Sequence, residues 1–211
     1  MAGLMRRLTL IRHGLTDWNR QGRFQGSSDV PLSDEGRAQA ARLRSADALL
    51  AQVDAIVSSP SRRARDTATL AFPHARVEDD VRLRELDFGV FEGRTIDENR
   101  RHAAWDWWTE DPYRRPAPRG ESYRQLQRRA VAWFEEARSR WPDAHTVAVC
   151  HSGTIQMLLA HLLGVREPRW DGRLEVRHTS LSAVRFEGGL TIIERVNDAY
   201  HLERWGAASR A

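Results

Sequence analysis

The chain has no lysine, a single cysteine and no long uninterrupted apolar run. Each scarcity excludes something. A lone thiol, Cys150, cannot close an internal disulfide, and thiol scarcity suits a reducing compartment, so the expected location is cytoplasmic. With no apolar run of about 18 residues, no transmembrane helix and no membrane partner are expected. Residues 1–7 lead straight into a strand pattern, without the apolar segment and cleavage site of a signal peptide. All 33 basic residues are therefore arginine, against 29 acidic ones, for a net charge of +4. No helical stretch carries an unbroken basic stripe interleaved with aromatics, so nucleic acid is not an expected partner. Solvated faces account for most of the arginines, and a local anion pocket stays open. The 211 residues, 41% hydrophobic and 29% charged, suffice for one well-filled core, which predicts one domain over 1–211.

What is present is organised around two strand ends. Leu8 to Ile11 reads as a buried strand that stops at Arg12-His13-Gly14, and Val147 to Cys150 as another that stops at His151-Ser152-Gly153. Ligands of open α/β sheets bind beyond such ends. Between them, Gly14–Asp29 reads as a functional loop. A helix follows from its N-cap Ser33 to about Ala51, with Ala40, Leu43, Ala46 and Leu50 at helical spacing. Asp54–Ser58 is a strand. Ser59 then caps a helix with Pro60 at its first position. Arg62 and Arg63 both stand at this junction, where arginine and helix amides favour an anion, and the sequence does not choose between them.

Ala75–Glu78 suggests a short strand. The glycine-punctuated stretch from Leu83 to Thr95 reads as an ordered loop carrying Glu85, which Leu83 and Leu86 flank. Partial burial would favour its protonated form and suit it to proton transfer, the alternative being a salt bridge to an arginine. Residues 92–120 form an excursion outside the sheet, a lid or pocket wall, helical over Arg101–Glu110 and rich in aromatics (Trp105, Trp107, Trp108, Tyr113). A leaving-group contact, core packing and a homodimer contact are open alternatives for these rings. A long helix spans Ser122–Arg140. Another, Ile155–Leu163, is closed by Gly164. Gly188-Gly189 turns a final antiparallel hairpin, and the tail from Gly206 is expected to fray.

Arg12-His13-Gly14, Trp18-Asn19, Gln25-Gly26, Leu32–Gly36, Ser58-Ser59-Pro60 with Arg62-Arg63-Ala64, Leu83–Leu86 with Gly89 and Glu92-Gly93, and Cys150–Gly153 together resemble the histidine phosphatase superfamily, in its phosphoglycerate-mutase-like branch. The match runs in order from Leu8 to about Leu163. The resemblance implies a three-layer α/β/α sandwich around a mixed, mainly parallel sheet. It also implies His13 as a nucleophile that forms a phosphohistidine, with Arg12, Arg62 and His151 on the phosphoryl oxygens. Glu85 would be the acid and then the base. Asn19 would line the phosphate pocket, Gln25 and Gly26 would bring a backbone amide near the substrate, and Ser152 would join the substrate-binding set. No metal or cofactor is implied. The expected activity is a metal-independent phosphomonoesterase acting on a small phosphorylated metabolite; the alternative is a phosphoglycerate mutase. The compact length matches the short bacterial phosphatases of this family.

The chemistry agrees with that reading. A neutral His13 attacks phosphorus, and two arginines with a protonated His151 balance charge on the equatorial oxygens. The paired histidines lack a third ligand at recognised metal spacing. His74, His102, His145, His161 and His201 default to surface or packing roles. His178 is a departure: it falls where relatives often place an asparagine, which opens the pocket to it.

Overall fold

Apolar runs bounded by turn residues become strands, and the amphipathic stretches between them become helices. The computed structural model describes residues 5–45, 50, 52–167 and 174–203. β1 (Arg7–Arg12), β2 (Ala55–Ser58), β3 (Val77–Asp79), β4 (His145–Cys150), β5 (Leu181–Glu187) and β6 (Leu190–Asp198) form one sheet in the order β3-β2-β4-β1-β5-β6. β1 and β2 each run parallel to β4, and β3 runs parallel to β2. β5 is antiparallel to β1, and β6 to β5. The sheet is thus mixed and mainly parallel, as the sequence predicts.

The helices are α1 (Asp17–Arg20), α2 (Asp34–Arg42), α3 (Arg62–Ala71), α4 (Ile96–Asn99), α5 (Trp105–Glu110), α6 (Tyr123–Arg140) and α7 (Ser152–Leu162). Both faces of the sheet are covered. All six positions of β4 are buried, the pattern of a central parallel strand. Ala148 and Cys150 pack with Trp133 and Phe134 of α6 and Ile155 and Leu158 of α7. Val147 and Val149 point the other way, onto Ala64, Ala68 and Ala71 of α3. A Ser122–Gln125 capping box starts α6, which buries Leu126, Ala130, Trp133, Phe134 and Ala137 on one stripe. Truncating Trp133 to alanine would cost about 3–5 kcal/mol.

Several boundaries differ from the sequence reading. α3 is capped by Ser61 and starts at Arg62, two residues after the predicted start. α2 ends at Arg42 in a 3-10 turn over Leu43–Ser45; the predicted continuation at 46–49 and 51 lies outside the described residues, as does the tail from Gly206. The 14–29 loop contains a helical turn, α1, because Thr16 and Asn19 form a capping box. In the 92–120 excursion only Trp105–Glu110 of the predicted helix forms, preceded by turns. Trp105 and Trp108 pack with Phe91, Leu126 and Met157 in a core of their own, their rings 5.5 Å apart. Core packing is therefore the role of these two rings. Trp107 is 48% exposed, with the Arg115 guanidinium 5.3 Å over its ring. Among the described residues no helix is long and apolar enough to cross a membrane.

Candidate active site

Parallel pairing of β1 with β4 sets Arg12 opposite Cys150, so the next residue of each strand, His13 and His151, emerges at the same sheet edge. The His13 amide donates to the Cys150 carbonyl at 3.0 Å, and the two imidazole centroids stand 5.1 Å apart. His13 Nδ1 lies 2.7 Å from the Gly14 carbonyl. A carbonyl only accepts, so Nδ1 carries the proton and Nε2 keeps its lone pair. Burial, then the charge of Arg63, then His151, Arg12 and His178 hold this imidazole well below its ordinary pKa. His13 is a neutral imidazole with Nε2 available, the form a nucleophile requires.

The second pocket arginine corrects the sequence assignment. Arg62 points outward: its side chain is 62% exposed and its Nε lies 3.8 Å from Asp66. Arg63 is fully buried. It donates from Nη1 to the Ser28 carbonyl and from Nη2 to the Gly26 carbonyl, each at 2.8 Å. With its amide oxygen turned toward Arg63, the orientation that satisfies both ends, Gln25 accepts from Nε at 2.9 Å and donates to Thr16 Oγ1 at 2.6 Å. Gln25 and Gly26 therefore seat the arginine. Gly26 has no room for a side chain, since a Cβ would stand 2.0 Å from the Leu86 carbonyl. Burial lowers both Arg63 and Arg12 to about 10, so both stay charged at neutral pH. Arg12 donates from Nη1 to the Val176 carbonyl at 2.5 Å, and its buried Nε has no partner among the described residues.

Glu85 is buried where the 83–95 loop meets the start of α7. Its Oε1 accepts from the Leu86 amide at 2.9 Å and its Oε2 from the Gly153 amide at 3.0 Å. A Cβ on Gly153 would stand 2.4 Å from Oε1, so glycine there lets the carboxyl close on the helix terminus. Arg129 of α6 fixes the loop from behind, donating to the carbonyls of Arg82 at 2.9 Å, Arg84 at 2.5 Å and Glu85 at 2.8 Å. It is itself held by Glu121 at 2.8 Å. Glu85 and Arg129 share a cavity of about 220 Å³ with Ser27, Arg84, Asp87 and Glu121.

His151 is fully buried as the residue before α7, its Nε2 2.8 Å from Ser59 Oγ and its Nδ1 unpartnered among the described residues. Burial, followed by Arg63 and Arg129, holds it well below its ordinary pKa. The protonated His151 expected from the chemistry is thus not the form these surroundings favour; an adjacent anion acts in the opposite direction, toward the imidazolium. Asn19 is committed elsewhere on its oxygen side, accepting from the Thr16 amide at 3.2 Å and hydroxyl at 2.9 Å. Ser152 lines a second cavity, about 410 Å³, with Arg12 and His178. His178 stands 5.9 Å from His13 between ring centroids, which brings it into the pocket. His145 and His201 do pack structurally, against Thr9 and Thr179.

Over residues 8–199 the chain matches the family described as "Histidine phosphatase superfamily (branch 1)". It belongs to that superfamily. It is 30% identical to "Putative phosphoserine phosphatase 2" of Hydrogenobacter thermophilus, over 93% of this chain and 98% of the relative. It is 32% identical to "Probable phosphoglycerate mutase GpmB" of Escherichia coli, over 94% and 96% respectively. The solved structure of Bacillus stearothermophilus YhfR superposes with a TM-score of 0.85 at 30% identity, covering 93% of this chain and 98% of that one.

Within this site, the residues alone left Arg62 and Arg63 open and the resemblance took Arg62; the roles of Arg129 and of Ser59 beside His151 were missed. Arg63 was findable: it shares an i, i+4, i+8 row with Thr67 and Ala71, both buried, whereas Arg62 lines up with the charged Asp66. Arg129 carried no local signal for this role, because the carbonyls it holds lie in a loop more than forty residues away.

Proposed function

We propose that this chain is a metal-independent phosphomonoesterase that hydrolyses a small phosphorylated metabolite through a phosphohistidine at His13. The observation that carries the reading is the locked tautomer: Nδ1 on the Gly14 carbonyl leaves Nε2 free among Arg12, Arg63 and His151. In the first step the Nε2 lone pair forms the N–P bond as the ester P–O bond breaks, and Glu85 delivers the proton that leaves with the alcohol. In the second, water attacks phosphorus, Glu85 takes its proton, the N–P bond breaks and phosphate departs with His13 neutral again. Arg12 and Arg63 supply fixed positive charge to the equatorial oxygens throughout. Arg63 has five N–H donors, of which its carbonyl partners and Gln25 occupy four, leaving one on Nη2 for an incoming oxygen.

Quenching the enzyme during turnover of labelled substrate should trap acid-labile, base-stable phosphate, absent from His13→Ala. Full turnover by His13→Ala would sink the assignment. The similarity to a probable phosphoglycerate mutase supports a second reading. Incubation of 3-phosphoglycerate with a trace of 2,3-bisphosphoglycerate separates them: 2-phosphoglycerate formation outrunning phosphate release would make the chain a mutase. A panel of phosphorylated sugars, glycerates and amino acids, with and without EDTA, would name the substrate.

A further inference from the structure

One side chain in the pocket has no part in the scheme above. His178 lies just before β5, against the end of β1, with its ring tilted 60° to that of His13. Its Nε2 is buried and has no hydrogen-bond partner among the described residues. Leaving such an atom unsatisfied costs free energy unless a ligand completes it. The position relative to Glu85 is informative. Glu85 lines the 220 Å³ cavity on the Ser27–Arg129 side, whereas His178 lines the 410 Å³ cavity with Arg12 and Ser152. The two residues therefore line separate cavities, with His178 on the one that Arg12 lines.

Resting on the phosphoryl-transfer reading above, we propose that His178 is a third phosphoryl-binding histidine. From Nε2 it donates a hydrogen bond to an oxygen of the transferring group on the Arg12 side, away from the leaving alcohol. Burial and the adjacent Arg12 charge push its imidazole down to about 3, so in the free enzyme at neutral pH it is an uncharged ring with one N–H. Arg12 provides the charge on this side and His178 the direction. Because the contact is to the group that stays on His13, it acts equally whichever alcohol departs. Glu85, which protonates the leaving oxygen, acts unequally.

The test uses the purified protein with inorganic orthovanadate as a phosphoryl mimic and two substrates, 4-nitrophenyl phosphate and glycerol 2-phosphate. For His178→Ala, vanadate affinity and kcat/KM for both esters should fall by a common factor of about 10 or more, the size of one hydrogen bond to an anion. His178→Gln, whose side-chain amide N–H reaches about as far as the imidazole Nε2, should recover most of that loss, and thermal melts should show both variants folded. Unchanged vanadate affinity in His178→Ala overturns the proposal. So does a loss confined to glycerol 2-phosphate, which would put His178 on the leaving-group side, or an equal loss in His178→Gln. Wild-type protein that binds vanadate but releases phosphate from neither ester nor any member of the metabolite panel would refute the phosphomonoesterase reading alone, and the vanadate comparison would still decide His178.

Discussion

Arginine 62 and arginine 63 are adjacent, chemically identical and opposite in consequence. Arg63→Ala removes donors from the buried carbonyls of Gly26 and Ser28 and from Gln25. At about 1–3 kcal/mol for each of the three acceptors left unsatisfied, the loss of stability is roughly 3–9 kcal/mol. For a chain of this size that lowers the melting temperature by at least about 6 °C, at about 2–4 °C per kcal/mol. Losing one oriented cation at the phosphoryl group should lower kcat by a further factor of about 10²–10³. Arg63→Lys separates the two effects. It keeps the charge but loses the planar fork, so it should retain more binding than alanine while still melting early. Arg62→Ala, by contrast, gives up an exposed contact with Asp66 at 3.8 Å, worth at most about 1 kcal/mol, and should leave kcat unchanged. The assay is steady-state hydrolysis of an aryl phosphate alongside thermal melts of all three variants. Activity within threefold of wild type in Arg63→Ala, or a loss in Arg62→Ala to match it, would refute the reasoning.

Gly153→Ala should lower kcat at least tenfold with modest change in KM, because the added Cβ meets Glu85 Oε1 at 2.4 Å; wild-type kcat in that variant would show that Glu85 need not sit on the helix amides. Arg129→Met should lower kcat on poor leaving groups more than on 4-nitrophenyl phosphate, since it releases the loop that holds Glu85; equal losses would confine Arg129 to folding. The buried histidines predict a pH effect on stability. His13 and His151 are held well below their ordinary value, His178 at about 3, His201 at about 4, and His145 is lowered too. Unfolded, they titrate near 6.5, so the denatured chain binds more protons as the pH falls. Their contribution is fully present above about pH 6.5 and is lost as the pH drops toward 4. Urea midpoints measured between pH 8 and 4.5 should reveal uptake of several protons on unfolding; uptake of one or fewer would contradict the burial pattern.

The parts legible in the sequence were those encoded by short-range pattern. Apolar runs fixed β1 and β4, the two histidines followed directly from where those runs stop, and Ser33 and Ser122 announced their helices. Glu85 stood out because apolar neighbours flank it. What stayed hidden depended on helical phase or on partners far along the chain. The helix begins after Ser61 instead of Ser59, and Ser61 makes no side-chain cap bond, so the serines did not choose between the arginines; the row of Arg63, Thr67 and Ala71 does. The tryptophans of the 92–120 excursion had three open roles because their packing partners, Leu126 and Met157, belong to later helices. His178 entered the pocket through the pairing of β5 with β1, a contact across most of the chain.

The placement of β4 has a consequence for how such a chain is made. β1 and β2 do not touch; β4 lies between them, yet it follows both by scores of residues. A chain emerging from the ribosome therefore carries two parallel strands with unsatisfied inner edges, and nothing downstream has arrived to fill the slot. During that interval the exposed ladders are free to recruit strands from other chains, a hazard typical of topologies with distant pairings. His151 arrives immediately after the strand that fills the slot, so the same insertion that seals the sheet also brings the second histidine to the first. A product ending before His145 would lack both the strand that fills the slot and the second histidine.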